Sequence, residues 1–359
     1  MLFLNGLILQ CVRNIKAARS VSAVYYILRG KRSIQTVHDA RIFHLEHYYG
    51  TNRSLGRNVF DQRVTQLKRE GLLQQSTNDA GLIVSGQGEG YLRQLLETFP
   101  FHYFHGFHYH HIASIFFDRI RLLIQTYTNS SMNHLSFIPI IDDLHITSWV
   151  KSFYIYYKNI DAQWMLQYLY DDLHAILSQL KNREAEFFID CFTGYKQYGL
   201  STEQLARKYH VTREDVQLLT VAITHKVLQT AHERNRRLKI LPHLIRDLPM
   251  NHFITKTAET TYKLFKKGYT IEQISQIRQL KKNTICDHFV EISLFDSTFP
   301  VEDYVDQDDQ REIVQATQEA KTSQLKEIKR AVSEEITYFQ IRLVLAQMDR
   351  MQGEYDDER

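Results

Sequence analysis

Residues 256–294 read KTAETTYKLFKKGYTIEQISQIRQLKKNTICDHFVEISL, and this stretch decides the fold. Thr270 followed by Gln273 has the spacing of a capping box, which predicts a helix starting there. Ile271, Ile274 and Ile277 then recur at helical intervals, and Leu280 closes a short turn. Lys281 and Lys282 open a second helix whose buried face is Ile285, Phe289 and Ile292. Two helices joined this tightly read as a helix-turn-helix, and the second points its first residues toward a groove or a phosphate backbone. DNA is the partner this arrangement predicts. A helical hairpin with no ligand would share the apolar pattern; the basic start of the second helix is what favours nucleic acid.

The same grammar occurs earlier. Residues 201–216 read STEQLARKYHVTREDV and align with TIEQISQIRQLKKNTI at 270–285. Ser201 matches Thr270 as a cap, Leu205 matches Ile274, and Val216 matches Ile285. Ala206 and Ser275 supply the small residue where the helices cross. Val211 and Leu280 plug the turn. The position before the plug, often Gly in such turns, is His210 in one segment and Gln279 in the other.

Charge follows this layout. Residues 232–289 hold twelve Lys/Arg against five Asp/Glu, although the whole chain of 359 residues is only +3. A phosphate-binding surface needs such a block. Residues 296–312 reverse it, with seven acids against Arg311 alone, and read as a solvated linker.

Hydrophobic content of 43% suffices for two or three packed domains. No apolar run is long enough to span a membrane. MLFLNGLILQ at 1–10 lacks the basic start and small-residue cleavage site of a signal peptide, so it reads as a core helix continuing to residue 15. A cytoplasmic protein is expected, with nucleoid association open. Cys11, Cys191 and Cys286 share no C-x-x-C spacing and predict free thiols. His102, His105, His108, His110 and His111 crowd one stretch, but no carboxylate or cysteine accompanies them before Asp118; packing is favoured over a metal site. The pairs Asp142–Asp143 and Asp171–Asp172 diverge on a helix and read as caps or solvated groups. No phosphate-binding loop, dinucleotide fingerprint or nucleophile elbow is present. The expectation is a protein that is not an enzyme, with no catalytic residues, cofactor, metal or small-molecule substrate.

The fold class expected is mainly α: an N-terminal winged helix with a short β-hairpin (1–98), a helical middle (99–181), one helix-turn-helix unit (182–249) and a second with an amphipathic helix at 324–351 (250–359). The hairpin is read from LLQQSTNDAGLIVSG, with its turn at 78–81. The chain's tyrosines and phenylalanines lie at core spacing and read mostly as core.

TYKLFKKGYTIEQISQIRQLKKNTICDHFVE, followed by EEITYFQIRLVLAQ, resembles the helicase-associated helix-turn-helix domain, which also ends some RecQ-type DNA helicases. The order and length of the whole chain are similar to the YpbB-like proteins of low-GC Gram-positive bacteria. The resemblance implies an accessory DNA-binding protein that lacks helicase activity and works beside a RecQ-type helicase. It implies no catalytic residues. By position it puts Lys281 and Lys282 on phosphates, and Asn283 and Thr284 on a base edge or a phosphate. His288 follows one turn later, and Lys266, Lys267 and Arg278 join from the basic block. A sequence-specific transcription regulator and a protein-only scaffold are the alternatives.

Overall fold

The computed structural model describes residues 2–76, 81–234, 237–249, 254–296, 298–320 and 325–357, with the side chains of 34, 320 and 349–357 outside the description. The protein is mainly α-helical. Helices α1 (Phe3–Ile15), α2 (Val21–Arg29), α3 (Ile34–Ile42) and α4 (Arg57–Arg69) precede a hairpin of β1 (Leu73–Gln75) and β2 (Leu82–Val84), and α5 (Gly86–Thr98) follows. This is the helix, hairpin, helix order expected. The antiparallel register sets Leu73 against Val84 and Gln75 against Leu82. Of the predicted turn, residues 78–80 lie outside the described residues.

The middle of the chain forms α6 (Gly106–Tyr109), α7 (Ala113–Ser131), α8 (Leu144–Tyr156), α9 (Ala162–Leu177) and α10 (Asn182–Ile189). The earlier helix-turn-helix is α11 (Thr202–Tyr209) with α12 (Arg213–Glu233). Beyond it come α13 (Lys256–Phe265), α14 (Ile271–Arg278), α15 (Lys282–Phe295), α16 (Gln307–Ala320), α17 (Leu325–Ala331) and α18 (Tyr338–Asp357). Among the described residues, no helix is long and apolar enough to cross a membrane.

Two compact units result, and neither is one run of sequence. The first takes Met1–Gln10, His47–Leu72 and Ser85–Asn251; the second takes Cys11–Glu46, Leu73–Val84 and His252–Arg359. The four consecutive blocks read from sequence do not coincide with these units. In particular, α2, α3 and the hairpin group with the C-terminal helices, whereas α4 and α5 group with the middle.

Specific long-range fits account for this grouping in the second unit. Arg41 of α3 donates to the carbonyl of Leu294 at 2.6 Å. That carbonyl lies in the last turn of α15, where no intrahelical donor is available. A Cβ at Gly81 would stand 2.4 Å from the carbonyl oxygen of Ala17, so only glycine fits there. Periodicity registers none of these contacts.

In the first unit, α12 is buried along most of its length, with Leu218, Ala222, Ile223, Val227 and Leu228 fully enclosed. Asp215, also fully enclosed, accepts the amide of Leu4 at 3.1 Å and that of Thr212 at 3.2 Å. One carboxylate thereby serves the starts of two helices, where backbone donors lack partners. The N-terminal apolar segment is the core helix expected: Phe3 stacks on Phe99 at 4.7 Å between ring centroids, and Leu4, Leu7 and Ile8 are buried.

The histidine-rich stretch bonds both locally and to distant parts of the first unit. His110 Nδ1 meets the Gly106 carbonyl at 2.8 Å, and the His105 amide donates to His225 Nδ1 at 3.0 Å. One aspartate of each adjacent pair acts as a cap: Asp143 accepts from the start of α8, and Asp172 accepts the amides of Lys239, Ile240 and Leu241, while Asp171 pairs with the Lys239 ammonium at 3.0 Å.

Two expectations need correction. The amphipathic run at 324–351 is two helices, because Thr337 caps α18 by accepting from the Gln340 amide at 3.3 Å. The acidic segment 296–312 is not a linker. Asp306 accepts the Asp309 amide at 2.9 Å, and Asp308 and Asp309 occupy the first turn of α16, where negative charge is favoured.

Candidate nucleic-acid interface

The candidate site lies in the second unit and is set by α14, its turn and the start of α15. Thr270 and Gln273 form the capping box: the Gln273 amide donates to Thr270 Oγ1 at 3.3 Å, and the Thr270 amide to Gln273 Oε1 at 2.9 Å. Gln279 ends the helix in the left-handed region at φ 51°. The Leu280 amide then returns to the Ser275 carbonyl at 3.1 Å, while Ser275 Oγ donates to the Leu280 carbonyl at 2.6 Å. The small residue at the crossing thus also fastens the turn. Ile274, Ile285, Phe289 and Ile292 are fully buried, as expected. Ile277 is not; it is 53% exposed.

The earlier pair repeats this construction within the first unit. Ser201 and Gln204 form its capping box, His210 takes φ 53°, and the Val211 amide reaches the Ala206 carbonyl at 3.0 Å.

Lys281 caps α15 with its backbone only, offering no side-chain bond. The Thr284 and Ile285 amides are satisfied by the Lys281 carbonyl. The Lys282 and Asn283 amides, one turn too early for an intrahelical acceptor, remain at the positive end of the helix dipole. Lys281, Lys282 and Asn283 are exposed there, and Thr284 is half-buried. Lys282 Nζ is held 2.6 Å from Glu272.

The other predicted residues do not join this cluster. Lys266 pairs with Asp296 at 3.4 Å. Asp296 follows the last residue of α15, so Lys266 lies about 21 Å along the helix axis from the Lys281 end. Lys267 is exposed beside Lys266. Arg278 is turned onto α13, donating to the Thr257 carbonyl at 2.6 Å and also to Thr261 Oγ1. Desolvation lowers its pKa from the ordinary arginine value.

His288 is a correction. It is 4% exposed, and its Nδ1 bonds Thr261 Oγ1 at 2.8 Å. Desolvation, with the charge of Arg278 beside it, pushes its pKa down to about 4. It cannot meet a phosphate, because α15 packs against α3, α13, α14 and α18. Near the turn, Lys282, Asn283 and Thr284 of α15 and its Cys286–Asp287 edge stay open.

Sequence reasoning missed the groove beside that edge. Its volume is about 1020 Å³, and α18 supplies one wall. Arg342 of α18 reaches Asp287 at 2.6 Å. Three carboxylates line the groove, Glu272, Asp287 and Asp303, against the cations Lys282 and Arg342. The balance is acidic, which disfavours an anion inside the groove. No local pattern links Arg342 to Asp287, which are 55 residues apart.

A capped helix, a plugged turn and a basic, open start to the next helix define a helix-turn-helix protein. The family model described as helix-turn-helix domain matches residues 257–345. The chain belongs to the YpbB-like family: it is 30% identical over 344 residues to Protein YpbB of Bacillus subtilis (strain 168), covering 96% of this chain and 97% of that protein. No solved structure matches it.

Proposed function

We propose that this protein is a non-catalytic, cytoplasmic DNA-binding factor that acts beside a RecQ-type helicase. One observation carries the DNA reading: Lys281 and Lys282 stand exposed where the first amides of α15 have no helical partner. Cationic side chains and a helix N-terminus together suit a phosphate group. The helix-turn-helix match supports the reading, and the resemblance to a domain that ends some RecQ-type helicases supports the partner. The burial of α15 beyond its first turn favours backbone contact over extended base reading.

Two measurements test this. Duplex DNA titrated at low salt should bind, with little preference among sequences; a specificity ratio on the order of 10³ would favour a regulator instead. Pull-down of the tagged chain from cytosol, with and without nuclease, tests the partner. A helicase retained after nuclease is the expected result, and loss of every companion after nuclease would remove the helicase from the proposal. A chain that binds no DNA at low salt would leave the scaffold reading.

A further inference from the structure

We infer that the first unit carries a second nucleic-acid site, an aromatic cleft that takes a single-stranded nucleotide. It goes beyond the reading above, because it rests on residues of the other unit. The cleft lies between α8 and the 3-10 turn Leu241–Leu244 and encloses about 320 Å³. Its walls include the rings of Trp149, Phe153, Tyr156 and Tyr157, with His243 and Arg246.

The aromatic wall is braced before any ligand arrives. The Arg119 guanidinium stands 3.9 Å from the Trp149 ring centroid. Arg119 is fixed by two bonds of 2.7 Å to Asp247 and one of 2.6 Å to the Leu244 carbonyl. Phe153 stacks on Trp149 at 5.1 Å. Tyr157 is held through its hydroxyl, 3.2 Å from His243 Nδ1. Tyr156 meets Tyr157 edge-on at 4.8 Å yet remains 79% exposed. It offers a flat, open π face.

Charge selects the occupant. No carboxylate is among the lining residues, and Arg246 is exposed at the rim. Asp247 next to it is engaged by Arg119. An exposed aromatic face beside an unbalanced cation matches a nucleobase with its phosphate. Bases of a duplex are already stacked and paired, so the strand must be single. The larger groove of the second unit, with its three carboxylates, lacks this selectivity. A proline-rich peptide also favours aromatic grooves, but it gains nothing from an unbalanced cation.

The test uses the full chain with labelled oligothymidine and a duplex of equal length at matched salt. Tyr156→Ala should weaken oligothymidine binding about tenfold, the loss of one stacked base, and leave the duplex unaffected. Tyr156→Phe should retain binding. Arg246→Ala should flatten the single-strand salt slope by about 0.7. In a Trp164→Phe background Trp149 is the remaining indole of two, and oligothymidine should quench its emission. Wild-type oligothymidine affinity in Tyr156→Ala would overturn the inference, as would Trp149 quenching by a proline-rich peptide but not by oligothymidine. A chain that holds duplex but not oligothymidine overturns the cleft and leaves the proposed function standing. Tyr156-dependent oligothymidine binding, with duplex affinity unchanged in Lys281→Ala/Lys282→Ala, supports the cleft and removes the helix-turn-helix contact.

Discussion

Glu272 restrains Lys282 through a 2.6 Å ion pair across the turn of the helix-turn-helix. Both partners are exposed, and each shifts the other in the direction of an ion pair: the lysine pKa is raised and the glutamate pKa lowered. On the DNA reading proposed above, a phosphate must compete with Glu272 for this lysine, whereas no ion pair is seen at Lys281 among the described residues. Glu272→Gln should therefore raise duplex affinity severalfold at low salt and steepen the log K against log[salt] slope by about 0.9, one additional phosphate contact. Lys281→Ala with Lys282→Ala should flatten that slope across unrelated sequences. Titrations at four or five salt concentrations measure both. An unchanged slope in the folded double variant would take these lysines out of the interface.

His288 makes stability depend on pH. Its folded pKa of about 4 lies below the ordinary 6.5, so between these values the unfolded chain holds a proton that the fold does not. Its contribution is complete above about pH 6.5 and is lost as pH falls toward 4, at no more than about 1.4 kcal/mol per pH unit. His38 and His225, each pushed down to about 3 chiefly by burial, act in the same direction. Denaturant unfolding at pH 7 and pH 5 should show the loss, and His288→Gln should make it shallower. Stability that stayed flat from pH 6.5 to 4.5 would contradict this.

Arg278 and His288 also mark where the sequence stops being informative. The capping boxes, the turn plug and the buried positions Ile274, Ile285 and Phe289 were legible because each rests on spacing within a dozen residues. His288 was misplaced because spacing identifies one apolar face of α15, while burial depends on how many elements surround the helix. Four do, and one of them, α3, comes from the other end of the chain. Arg278 carries the charge of a phosphate ligand but serves α13. The cleft at Tyr156 was hidden in a chain whose tyrosines mostly read as core.

The core of the second unit depends on Ile274. It is fully buried at the helix crossing, within a cluster that includes Ile285, Phe289 and Ile341. Ile274→Asp places a carboxylate there without a cation among these neighbours and should unfold the unit. Ser201→Ala removes a capping bond of 3.3 Å from the exposed start of α11 and should cost about 1 kcal/mol. Thermal melts by circular dichroism compare them. Equal melting temperatures for the two variants would mean that the crossing tolerates charge.

The turn itself offers a gain in stability. Gln279 at φ 51° and His210 at φ 53° occupy the left-handed region, and both side chains are exposed. That backbone costs a residue with a Cβ about 1–2 kcal/mol, while glycine avoids the clash and loses roughly 0.5–1 kcal/mol in chain entropy. Since neither side chain is buried, little packing is lost on truncation. Gln279→Gly and His210→Gly should each stabilise the protein by up to about 1 kcal/mol. Gln279→Val, whose branched Cβ tolerates this region least, should destabilise it by more than that. Denaturant midpoints measure all three. Duplex binding should be unchanged in Gln279→Gly, because the Leu280 plug and the Lys281 start keep their places. A lower midpoint for both glycine variants would show that the left-handed turn is held by the side chains of Gln279 and His210, and not merely endured by them.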